Sequence, residues 1–250
     1  MSKNSFLHIP LTNWGEVSKQ KYSIAILPWG AVEPHNYHLP YLTDCIITYE
    51  IASDAAELAF TNGVVSMVMP PIYFGSQNMG QWNKPFCIHT RSETQKAILT
   101  DIVTSLSIQG ITKLVIVNGH GGNTFKPYIR DLQVTHPNFQ IIVVDWWTVE
   151  PQDSYFEEKP DDHAGELETS VVLHYHPELV NMQSAGDGFV KPVKIDSLNN
   201  RVGWSPRNWD EVSEDTGVGN PKKSTAEKGK RFAEVVVKKI AQLLVDLDQE

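Results

Sequence analysis

The chain is poor in cysteine. Cys45 and Cys87 are the only two in 250 residues, too few and too far apart for a disulfide framework or a cysteine zinc knuckle. It also lacks a basic stripe: 21 Lys and Arg are scattered among 30 Asp and Glu, for a formal charge of −9 at pH 7. Such a chain has little to offer a phosphate backbone, which argues against nucleic acid as a partner. No apolar run reaches the ~20 residues of a membrane helix, and "MSKNSFLHIP" has no signal-peptide core. A cytoplasmic protein without a membrane partner is the expectation. Repeats and low-complexity tracts are missing as well.

What remains is an ordinary globular composition, 41% hydrophobic and 20% charged, with enough chain for a large core. The runs "SIAILPW" (23–29), "VVSMVMP" (64–70), "KLVIVN" (113–118) and "FQIIVVDWW" (139–147) read as buried strands. Helical patterns fall at 44–61, 92–109, 123–135, 164–176 and 225–248, and Ser92 with Gln95 has capping-box spacing. This alternation predicts an α/β fold with a mainly parallel central sheet covered on both faces. No linker is visible, so one domain over 1–250 is expected. The irregular segments 71–91 and 184–222 are too long for plain connectors and read as site walls or subunit contacts.

Three clusters carry chemistry. "WGAVEPHNYHLPYLTD" (29–44) places Glu33, His35, His38 and Asp44 just after a strand. In extended chain Glu33 and His35 point to one side, where a carboxylate and an imidazole suit Zn²⁺ or Mn²⁺; the other reading is a polar loop with Asp44 as a helix-start acid. "VIVNGHGGN" isolates His120 among glycines. It is either an exposed ligand on a close-approaching backbone or a strand-to-helix turn that cradles a phosphate, although a P-loop lysine is missing. "DDHAGELETSVVLHYH" (161–176) read at ~100° per residue puts Glu168 inside an apolar face and Glu166 nearly opposite. Glu168 is then the ligand candidate and Glu166 a surface or supporting acid.

Parallel strands ending at 29 and 118 bring Glu33, His35, Asp44 and His120 to one edge, with Glu168 approaching from a helix. Three carboxylates and two imidazoles leave coordination positions open on a pair of cations, as binuclear hydrolases require for a metal-bound hydroxide. His163 is the candidate proton donor to a leaving group. The Gly121–Gly122 backbone is the candidate oxyanion site. Tyr73, Trp82, Trp146, Trp147 and Trp204 are candidate pocket walls.

Taken together, "LPWGAVEPHNYHLPYLTD", "VNGHGGN", "DDHAGELETS" and "TGVGNPKKSTAEKG" resemble the creatininase family of metal-dependent amidohydrolases, in the expected order from about residue 23 to 235. The resemblance implies a three-layer α/β/α fold, a binuclear divalent-metal centre and a homo-oligomer, frequently a hexamer. It implies Glu33, His35, Asp44, His120 and Glu168 as ligands, with Asp44 bridging, and two ions per chain, Zn²⁺ and/or Mn²⁺, with Fe²⁺ a further option. Two departures bear on substrate. Gly121 and Gly122 stand where creatinine-hydrolysing members tend to have Tyr and Glu, and the usual "HGPH" step is "HNYH". The expected function is therefore hydrolysis of a non-peptide C–N bond in a small cyclic or formyl amide. The alternatives are a creatininase-like peptidase and a nucleotide- or phosphate-binding module without turnover.

Overall fold

Alternate residues of the central strands face opposite ways, and this alone builds three layers. In a computed structural model that describes residues 3–200 and 202–250, Ile24, Ile26, Val115 and Val117 pack into one core. Their neighbours Ala25, Leu27, Leu114 and Ile116 pack into a second core on the other face. The strands are β1 (Ile24–Trp29), β2 (Ser66–Val68), β3 (Lys113–Asn118) and β4 (Gln140–Asp145), all parallel in the order β2-β1-β3-β4.

The first core is closed by helices α1 (Thr43–Phe60), α4 (Glu166–Tyr175) and α5 (Ala226–Asp248). Helices α2 (Ser92–Ile108) and α3 (Lys126–Thr135) cover the second. The expected α/β class and parallel sheet are therefore what the chain adopts, with element ends shifted by a few residues. Helix α5 opens on Thr225, whose hydroxyl accepts from Lys228 N, and buries Phe232, Val236, Ile240 and Leu244 at helical spacing. The capping box at Ser92 does not form: Ser92 is the first helical residue, and no side chain caps this end. Gln95 turns inward instead, fully buried, and donates to Asn123 Oδ1 at 3.0 Å. No helix among the described residues is long and apolar enough to cross a membrane.

Strands β1 and β3 pair through Trp29↔Asn118, so the segments that follow them emerge side by side. In a parallel sheet this carboxyl edge is where ligands bind. The segments 71–91 and 184–222 border the groove at this edge through Ser76, Gln77 and Gln81 and through Lys191, Arg207 and Trp209.

Candidate metal centre

The five expected ligands converge on this edge. Glu33 and His35 follow β1, Asp44 is the second residue of α1, His120 follows β3, and Glu168 lies in the first turn of α4. His35 Nε2 is 2.9 Å from Asp44 Oδ1 and 3.9 Å from Glu168 Oε2. His120 Nδ1 is 2.7 Å from Glu33 Oε1 and 3.3 Å from Asp44 Oδ2. Donor atoms within 4.8 Å of one another form three sets that could hold a metal ion: Glu33, Asp44 and His120; His35, Asp44 and Glu168; and Glu33, His35 and His163. Asp44 belongs to the first two.

The tautomers are fixed by the main chain. A carbonyl oxygen only accepts, so His35 Nδ1–H donates to Glu33 O at 3.1 Å, His120 Nε2–H to Ser76 O at 2.7 Å, and His163 Nε2–H to Pro34 O at 3.0 Å. The second nitrogen of each ring is thereby aimed at the carboxylates. Metal-binding histidines are held in this way by carbonyls behind them. Asp44 Oδ2 is buried and, beyond the 3.3 Å approach of His120 Nδ1, has no hydrogen-bond partner among the described residues. A buried carboxylate oxygen without a donor is costly unless a cation faces it. The donor set is therefore suited to a divalent cation.

The charges agree with the geometry. Burial by itself lowers the pKa of His35, but Asp44, Glu168 and Glu33 outweigh it and raise the imidazole to about 10. His120 is likewise held well above its usual range, against burial, by Glu33 and Asp44. Glu168 is pushed up to about 8 by burial and by the neighbouring Asp44 and Glu33 charges. Asp44 is lowered: burial opposes ionisation, and His35 and His120 override it. His163 moves the other way, lowered by burial and by His35.

Two groups that sequence reasoning missed, Gln81 and Trp209, and two stretches it singled out complete the site. Gln81 donates from Nε2 to Glu33 Oε2 at 2.6 Å. Trp209 packs edge-on to His163 with ring centroids 5.0 Å apart. Val218 bridges His163 through paired main-chain bonds of 2.8 and 3.1 Å, which gives the "TGVG" stretch its task. His38 sits behind the cluster, bonded to Thr169 Oγ1 at 2.8 Å and lowered to about 4 by burial and His35.

Three expectations need correction. Glu166 is not a surface acid. It is fully buried, accepts from Glu157 N at 2.7 Å and Glu158 N at 2.9 Å, and pairs with Lys228. The helical wheel failed because α4 is covered all round, by the 150–163 loop as well as by α1 and α5. Trp146 does not border the site; it is fully buried in the core against Phe232, and only Trp147 lines the cavity. Trp82 and Tyr73 lie on the exposed surface and line neither cavity, whereas Trp204, also exposed, lines the outer groove.

The cavity over the cluster is an inner recess of about 80 Å³ that opens into a groove of about 1570 Å³. Glu33, Asp44, Asp161, Asp162 and Glu168 border the recess, and among the described residues no Lys or Arg does. Gly121 reaches the recess and Gly122 the groove. A Cβ on Gly122 would lie 2.0 Å from Ser76 O and 2.5 Å from His120 Nε2, so this backbone admits only glycine there.

Comparison with known proteins agrees with this geometry. The sequence profile of creatininase, described as creatinine amidohydrolase, matches residues 11–244. A crystallised Bacteroides fragilis protein, provisionally designated a creatinine amidohydrolase, is 55% identical with a TM-score of 0.97 over 99% of this chain and 98% of its own. The creatinine amidohydrolase of Pseudomonas putida is 24% identical over 75% of this chain and 78% of its own. A mycofactocin precursor peptide peptidase of Mycolicibacterium smegmatis is 28% identical over 88% of this chain and 85% of its own. A creatininase solved in its manganese form, 22% identical with a TM-score of 0.77 over 96% of this chain and 98% of its own, shares the fold.

Proposed function

Because this chain belongs to the creatininase family, we propose that it is a divalent-metal-dependent hydrolase of amide C–N bonds in a small substrate, with two ions per chain. The observation that carries this reading is Asp44. Its two oxygens face two different histidines, at 2.9 Å and 3.3 Å, and it is common to two donor sets. One ion is assigned to Glu33, Asp44 and His120, the other to His35, Asp44 and Glu168. Zn²⁺ and Mn²⁺ suit such mixed nitrogen and oxygen donors, and relatives of the same fold have been solved in a manganese form and as a zinc–zinc type. When bound, such ions would supply Lewis-acid polarisation of the scissile carbonyl and a lowered pKa for an attacking water.

The rest of the work falls to the protein. His163 has its Nε2 proton held by Pro34 O, and its lowered pKa leaves Nδ1 free to accept. It takes a proton as water attacks and returns it to the departing nitrogen. The Gly121–Gly122 main chain is assigned to the developing oxyanion, since neither N–H donates to another main-chain group among the described residues. Trp147 forms one wall of the recess. The acidic inner recess, with no Lys or Arg among its described residues, speaks against the phosphate-binding alternative at that point, because it would repel a polyanion. The resemblance to a peptide peptidase keeps short peptides in the substrate panel.

The test is a screen of the metal-loaded protein against cyclic amides, formylamines and short peptides. Turnover should appear with at least one class, and His163→Ala should lower kcat by about 10²–10⁴ while the metal content stays unchanged. No hydrolysis of any class, or full activity after complete chelation, would overturn the reading.

A further inference from the structure

The groove holds a feature that the hydrolytic chemistry does not use. Gln77 is only 6% exposed and lines the groove, yet neither its Oε1 nor its Nε2 finds a hydrogen-bond partner among the described residues. Trp209 is 5% exposed, lines the same groove, and its indole N–H is likewise unpartnered. Buried polar groups in folded proteins nearly always have partners. Two such residues beside one groove leave enclosed polar groups that a ligand seated between their segments would complete.

The Gln77 main chain and the Trp209 ring are both held in place. Gln77 N donates to His89 Nδ1 at 2.9 Å. Trp209 lies between His163, 5.0 Å away, and the Arg207 guanidinium, 5.3 Å from its ring centre. The two segments are tied directly, Trp209 N donating to Met79 O at 2.9 Å. Gln81, two residues beyond Met79, reaches Glu33, so this wall adjoins the metal cluster.

We propose that Gln77 and Trp209 recognise a second amide in the substrate, beyond the bond that is cleaved. This rests on the hydrolase reading above and narrows its substrate class. Together the two residues present two donors and one acceptor. A carboxylate would leave Gln77 Oε1 without a donor, and a hydrocarbon would satisfy none of the three. An amide or ureide matches the set: its carbonyl accepts from the indole and from Gln77 Nε2, and its N–H donates to Gln77 Oε1. The volumes agree, since the recess of about 80 Å³ admits little more than the reacting group, whereas the groove of about 1570 Å³ takes a longer molecule.

The experiment compares N-formylglycine N-methylamide with N-formylglycine methyl ester on the metal-loaded full chain, reading formate release. The probes differ only in whether the second group carries N–H. The wild type should prefer the amide by about tenfold in kcat/KM, the effect of one or two hydrogen bonds, expressed mainly in KM. Gln77→Leu should bring the ratio close to one, and Trp209→Phe, which keeps the ring against His163, should raise KM for both probes. Equal use of the two probes by the wild type, or an unchanged ratio in a Gln77→Leu protein of normal metal content, overturns the proposal. Should Gln77→Leu fail to fold, the wild-type ratio and Trp209→Phe decide. If neither probe releases formate while other amides do, or if none is hydrolysed at all, calorimetric binding of the same two probes decides. A tenfold tighter Kd for the amide supports the recognition site even where hydrolysis fails, and equal Kd values overturn it.

Discussion

Gln81 and Glu33 are 48 residues apart in sequence, yet the Gln81 amide donates to Glu33 Oε2 at 2.6 Å in a fully enclosed setting. The other oxygen of that carboxylate is thereby left to face His120 Nδ1, 2.7 Å away. A neutral donor behind a ligating carboxylate fixes its orientation without competing for the cation. Gln81→Leu should therefore weaken metal affinity by about 10–100-fold, measured by competition with a chelator, while the helical content is unchanged. Unaltered affinity would mean that Glu33 is oriented by something else.

Metal binding should release protons. His35, raised to about 10, and His120, held well above its normal range, both carry an extra proton at neutral pH, and Glu168, at about 8, is protonated too. A cation needs these groups unprotonated, so its affinity should rise with pH from 6 towards 9. Calorimetry in buffers of different ionisation heat should give net release of at least one proton per chain at pH 7. Zero release would contradict the charge states assigned here.

Asn36 adopts a left-handed conformation, φ 53°, in which its carboxamide accepts from Tyr37 N and Gly186 N and donates to Asp215. Its own N–H donates to Thr216 Oγ1. Glycine, the residue of the usual family step, and asparagine both tolerate this geometry, whereas a β-branched residue does not. Asn36→Gly keeps the backbone geometry but loses the carboxamide bonds and should cost about 1–2 kcal/mol; Asn36→Val adds strain and should cost on the order of 2–4 kcal/mol, read as a lower Tm and weaker metal retention.

How much of this was legible in sequence differs from residue to residue. Strands β1 and β3 declared themselves by apolar runs, and a parallel pair had to bring Glu33, His35 and His120 to one edge. Glu168 was found through its place on the helix, but the same wheel misjudged Glu166, because periodicity reports one covered face and α4 is covered on all sides. Trp146 and Trp147 are neighbours with opposite surroundings, core and cavity, and composition does not separate them. Gln77, Gln81 and Trp209 lie in irregular segments, where no repeat signals which amide or indole will turn inward.

Asp161 borders the recess, and burial, reinforced by the nearby Glu166 and Glu158 charges, pushes its carboxyl up to about 7. Its folded pKa exceeds the unfolded one, so the protonated form is favoured by the fold. The stability it contributes is fully present below pH ~4 and is lost as pH rises through about 7. In chelated protein, Asp161→Asn, which can still accept from Leu167 N, should gain on the order of a few kcal/mol over wild type by pH 8 and nothing at pH 4. A gain independent of pH would assign the effect to packing instead.

The most direct test is metal stoichiometry across three variants. Purified wild-type protein, loaded with Zn²⁺ or Mn²⁺ and freed of excess, should carry two equivalents per chain by elemental analysis. His120→Ala and Glu168→Ala should each retain about one equivalent, and Asp44→Ala close to none. A wild type that takes up no metal, or an Asp44→Ala protein that still holds two equivalents, would contradict the account.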